Sequence, residues 1–149
     1  MNKVFYKVIC LWILLSLVVW CGSGCVGKTM ELHPGKTPES AVKLRGEGVM
    51  TAVSGADFTG YVRFAGEQTA YGDEEQFKNS CANMEKQMGK ITGFSYLTKL
   101  RTPELYNLIF KVDFEREVSG GRKVVHQQLM QLIFGEIDGT PRLLGLRIM

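Results

Sequence analysis

Between residues 37 and 149, hydrophobic positions change their spacing once, near residue 90. Before it, the period is helical. Thr37-Pro38-Glu39 opens the first run, with threonine placed at the N-cap, proline in the first turn and an acid near the positive end of the helix dipole. Val42, Val49, Met50 and Val53 then recur at helical intervals. Gly46 and Gly48 each weaken such a helix by about 1 kcal/mol relative to alanine, or else mark the close approach of another element. Ser54-Gly55-Ala56-Asp57 breaks the run, and Asp57 caps a short second helix carrying Phe58, Tyr61 and Phe64. Asp73-x-x-Gln76, with Glu74 and Glu75 in the first turn, starts a third. Phe77, Cys81, Met84 and Met88 form one buried stripe on it, on which Cys81 reads as plain core. Lys86 and Gly89 stand where a C-terminus needs them.

After Lys90 the period is two. Ile91 to Leu100 predicts a strand and Thr102-Pro103-Glu104 a turn. Tyr106, Leu108, Phe110, Val112 and Phe114 alternate with polar residues, the clearest strand signal in the chain. Ser119-Gly120-Gly121 turns it back into Lys123 to Phe134, and Asp138-Gly139 leads on to Leu143 to Ile148. Two or three helices followed by a four-stranded antiparallel meander is an α+β plan over residues 37–149.

The N-terminus follows neither pattern. Val8 to Trp20 is thirteen residues without a charge, preceded by Lys3 and Lys7 and followed by Gly22, Ser23 and Gly24. A basic start, an apolar stretch of about 7–15 residues and a small-residue exit describe a secretory signal peptide. The alternative is an uncleaved anchor, since a spanning helix needs about 20 apolar residues and Val4 to Val26 nearly supplies them. The exit Ser23-Gly24-Cys25 resembles the lipobox of bacterial lipoproteins, though Gly22 replaces the usual leucine-like residue. The resemblance implies cleavage before Cys25, acylation of that cysteine with palmitate-like chains, and a protein facing the periplasm or the cell exterior. More than one acyl chain gives stable anchoring. Val26 stands where an inner-membrane lipoprotein often has aspartate, which favours the outer membrane where there is one. Residues 1–24 are thus expected as signal, 25–36 as lipidated N-terminus and tether, with His33 free in it, and 37–149 as the domain.

Residues 22–29, G-S-G-C-V-G-K-T, also complete the phosphate-loop pattern G-x-x-x-x-G-K-[ST]. That chemistry needs a helix starting near Lys28 with its dipole aimed at the nucleotide. Pro34 and Gly35 would end such a helix within about two turns, and no strand–helix alternation follows to build a parallel sheet. Nucleotide binding therefore stays a remote alternative.

Charge and cysteines narrow the rest. Loss of Lys3 and Lys7 with the leader leaves sixteen basic side chains against fifteen acidic, a net charge of +1 rather than +3. No basic stripe remains, so nucleic acid is not an expected partner. Cys10 and Cys21 would leave too and Cys25 would be acylated, so Cys81 has no intrachain disulfide partner. No metal, cofactor or acyl-transfer motif follows residue 29, and neither metal nor cofactor is expected.

The helix break S-G-A-D-F at 54–58, the third helix and the closing I-D-G-T-P-R-L-L-G-L-R-I at 137–148 resemble the NTF2-like and cystatin-like superfamily, including its small bacterial lipoproteins. The resemblance implies helices packed on a curved sheet, often around a pocket. In some relatives an acid or histidine there drives isomerase or dehydratase chemistry; in others the pocket only binds. Tyr61, Tyr96 and His126 are the pocket candidates, with His126 the conceivable base. Asp113, Glu115 and Glu117 read as solvated surface. The expectation is a non-catalytic domain, tethered to the membrane by its lipid, that binds a small ligand or an envelope protein. A pocket enzyme of the same fold is the alternative.

Overall fold

The computed structural model describes residues 32–67 and 71–149. Helices α1 (Glu39–Ser54), α2 (Phe58–Ala65) and α3 (Glu74–Met88) precede strands β1 (Lys90–Arg101), β2 (Leu105–Val118), β3 (Arg122–Ile137) and β4 (Thr140–Ile148). The strands form an antiparallel meander in the order β1-β2-β3-β4. Three helices pack on this curved sheet, the α+β plan expected from the change of period.

Local chemistry sets most boundaries. Asp57 and Asp73 accept from the backbone N–H groups of Gly60 and Gln76 at 3.0 and 2.8 Å, capping α2 and α3 as expected. Gly89 ends α3 at φ 101°, a conformation that costs glycine little, and its N–H returns to the Glu85 carbonyl. Asp138 and Gly139 both have positive φ, 52° and 73°, as a two-residue type I′ hairpin turn requires. Pro141 falls inside β4, which tolerates a missing N–H because it is an edge strand.

The start of α1 differs from expectation. Pro38 occupies the N-cap, in extended geometry, and α1 has no side-chain cap. Thr37 lies one residue too early for that role. Its N–H and hydroxyl instead donate to the Glu136 carboxylate at 3.0 and 3.1 Å, and the Lys36 N–H joins them at 2.7 Å. Ordered contacts begin earlier still. His33 donates its N–H to the Glu136 carbonyl at 3.2 Å, and Gly35 donates to Pro103 while accepting from the Arg101 guanidinium. The Tyr106 hydroxyl donates to the Thr37 carbonyl at 2.9 Å. His33, expected to be free, is therefore held through its backbone.

The core lies between α1 and α2 on one side and the centre of the sheet on the other. Val42, Val49 and Met50 meet Leu108, Phe110 and Val112 there, all fully buried. Gly46 accounts for the closeness: a Cβ on it would strike Leu108, while Gly48 admits the Phe64 ring of α2. The glycines mark close approach, as one of the two readings of the sequence required.

Candidate functional site

Helix α3 does not close onto the sheet along its whole length. Phe77 at its start is fully buried, but Cys81, Met84 and Met88 are only half-buried, so the stripe expected to be core is partly open. The gap is a cavity of about 340 Å³ between α3 and the end of β4, bordered also by Val53 and Tyr71. Its size falls within the range of about 300–1,000 Å³ usual for small-molecule sites. A second hollow of about 150 Å³ lies toward Gly89 and shares Val53, Cys81 and Met84 with the first.

Leu146, Arg147 and Ile148 all border the larger cavity. Successive strand side chains point to opposite faces, so three consecutive residues can line one space only if it abuts the edge of the strand. Met149 donates its N–H inward to Leu129 at 2.8 Å, so by alternation Leu146 and Ile148 turn their N–H and C=O groups outward, toward the cavity. Their side chains share the helix-facing side of the sheet with Leu132 and Met130. Arg147 faces the other way, its Nε donating to Gln131 Oε1 at 2.5 Å.

The site is consequently almost free of formal charge. Its floor is Val53, Phe77, Met84, Met88, Leu146 and Ile148; Ser80, Asn83 and Gln87 supply neutral polar groups from α3. Burial raises the pKa of the Cys81 thiol, keeping it protonated near neutrality. Burial also raises that of the Tyr71 phenol, with a further push from Cys81 and a partial offset from its hydrogen bond to Ser80. The cavity can desolvate an apolar body and hydrogen-bond to it at a few points; it offers no ionised acid or base beside them.

None of the pocket candidates read from the sequence lines either cavity. Tyr61 is fully buried beneath the larger one, its ring 5.5 Å from Tyr71 and 4.6 Å from Phe77. Tyr96 meets Phe110 edge-on, with the Lys43 ammonium 4.7 Å from its ring centroid. His126 stacks on the buried Phe114 at 5.7 Å and 19°. It shares the helix-facing side of the sheet, yet stands apart from both hollows. Asp113 and Glu115 lie on the opposite face, engaged by Gln127 and Lys123 at 2.8 and 2.7 Å. The cavity residues escaped the sequence reading because Ser80, Asn83 and Gln87 look like an ordinary solvated helix face. The one usable signal was the stripe Cys81, Met84, Met88, apolar residues with few partners to cover them.

Cys25 and the phosphate-loop-like run 22–29 lie outside the described residues. Residues 32–38 are non-helical, so no described helix serves a nucleotide at Lys28. Among the described residues, no helix is long and apolar enough to cross a membrane, and no group of side chains could hold a metal ion.

No protein-family model matches the sequence, and no curated protein matches it. Solved structures do resemble it in outline. An NTF-2-like protein of unknown function from Shewanella oneidensis MR-1 is 13% identical, with a TM-score of 0.45 over 75% of this chain and 98% of that one. A de novo designed protein with a curved β-sheet is 14% identical, with a TM-score of 0.43 over 71% of this chain and 96% of that one. Neither likeness brings an activity with it.

Proposed function

We propose that this chain is a non-catalytic binding protein of the NTF2-like type, tethered to a membrane by lipid on Cys25, whose α3–β4 cavity takes a neutral, mainly apolar small molecule. The cavity carries the reading: apolar surface, neutral hydrogen-bonding groups, and the outward backbone of Leu146 and Ile148. The enzyme alternative has less support, because Cys81 and Tyr71 are both held protonated and His126 is elsewhere. The tether rests on Ser23-Gly24-Cys25 and the apolar run before it.

Two measurements test the two halves. Metabolic palmitate labelling of the wild type and Cys25→Ser should show label in the first and none in the second; equal labelling contradicts the lipid anchor. Phenylnaphthylamine, a neutral fluorescent probe, should give a saturable enhancement on titration with the protein. Its anionic relative anilinonaphthalene sulfonate should bind at least tenfold more weakly, about 1.4 kcal/mol. Preference for the anion contradicts a neutral site.

A further inference from the structure

Helix α3 is undercut from both flanks. Phe77, Cys81, Met84 and Met88 form the stripe on its underside, packed in or against the core. Ser80, Asn83 and Gln87, which border the larger cavity, lie on one flank of that stripe. Lys78, Ala82 and Glu85, which border the smaller hollow, lie on the other. At about 3.6 residues per turn the two sets point in nearly opposite directions. The two hollows therefore meet beneath the helix, and the residues common to both are Val53, Cys81 and Met84. The helix is secured at its ends. Phe77 is fully buried in the first turn, its ring 4.6 Å from that of Tyr61 and 5.7 Å from that of Phe58. Gly89, just past the last turn, packs so closely on β2 that a Cβ there would strike the Glu115 carbonyl. Between these two points Cys81 and Met84 are only half-buried, so the middle of α3 spans a gap that it does not fill.

We infer that the two hollows are one passage beneath α3, and that it takes a long unbranched hydrocarbon chain with an uncharged, hydroxyl-bearing head. This rests on the larger cavity being the binding site and adds the shape and direction of the ligand. A helix with its side chains is about 10–12 Å across, so an occupant that reaches both flanks is long and thin, whereas a bulky ring fills the larger cavity alone. Met84, unbranched and flexible, can shift to admit a chain. Polarity sets the direction. Ser80, Asn83 and Gln87 offer neutral hydrogen-bonding groups to a head on the β4 side. The far hollow has apolar walls from Val53, Ala56, Ala82 and Ile91, which suit the end of a tail. It does not suit an anionic head: Lys78 is already paired with Glu74 at 2.6 Å, and Glu85 stands on the same flank.

Photolabelling of the full chain in lipid nanodiscs tests this, with two forms of monopalmitoylglycerol that carry a diazirine beside the ester or at the chain end. The ester-side diazirine should label Ser80 to Gln87, and the chain-end diazirine Ala56, Ala82 or Ile91, as read by peptide mass mapping. Excess phenylnaphthylamine should displace both. Ala82 borders the smaller hollow and not the larger, so Ala82→Phe should reduce both labels at least tenfold and leave phenylnaphthylamine affinity unchanged. Chain-end label confined to the larger cavity, or full labelling of Ala82→Phe, would overturn the passage while leaving the larger cavity as the site. Absence of label from a protein that binds phenylnaphthylamine would do the same. Absence of saturable phenylnaphthylamine binding would overturn both readings. Should Ala82→Phe fail to fold, the wild-type labelling pattern decides alone.

Discussion

Glu136 shows how a single residue can organise contacts that its sequence neighbourhood conceals. It is 4% exposed, and its carboxylate collects two backbone N–H groups and a hydroxyl from Lys36 and Thr37. The Thr37 N–H leads in holding its pKa below the ordinary carboxylate value, against the opposing effect of burial, with Lys36 and the Thr37 hydroxyl adding to it. A depressed carboxylate contributes stability above its unfolded pKa of about 4.3 and loses it as pH falls through the folded value. Attachment of residues 33–37 should therefore weaken below about pH 4. Glu136→Gln should cost about 1–2 kcal/mol at neutral pH, from loss of charge-assisted hydrogen bonds, and flatten the acid limb of thermal unfolding. An unaltered acid limb would mean that this carboxylate does not act through its charge. The caps Asp57 and Asp73 were legible because each partner lies three residues away. Glu136 was not, because Thr37 is separated from it by 99 positions.

Among the elements, α3 departs furthest from its periodicity. Its ends follow sequence rules, and its stripe has the right spacing, but spacing cannot say whether a facing surface reaches the stripe. Of the helix's residues only Phe77 is fully covered. Cys81 is left half-buried at the junction of two hollows, with its thiol pKa raised. Alkylation by iodoacetamide at pH 8, followed at Cys81 by peptide mass mapping, should run several-fold slower than for an unhindered thiol, whose pKa is about 8.5. Saturating phenylnaphthylamine should slow it further. A rate equal to that of a free thiol would place Cys81 in water rather than at a cavity wall. The strands were the better-read elements, because alternation names both the face and the partner side: Tyr106 through Phe114 are buried at every second position.

For the whole molecule, the switch from a helical period to a period of two was enough to give the order of elements and the α+β layering. It could not give the cavity, which depends on how far α3 stands from β4. The family resemblance, not the residue pattern, suggested Tyr61, Tyr96 and His126 as pocket candidates; their rings pack on Phe77, Phe110 and Phe114, as large rings do in a core of this size. The proposed lipid anchor and the proposed binding cavity are independent of each other, and the proposed function turns on the cavity. It is tested most directly by repeating the phenylnaphthylamine titration on Met84→Trp, a substitution that places a larger ring in the space beside α3. Affinity should fall at least tenfold while the melting temperature and circular dichroism stay close to wild type. Equal affinity in a folded Met84→Trp protein would show that the probe binds elsewhere and would contradict the assignment of this cavity as the binding site.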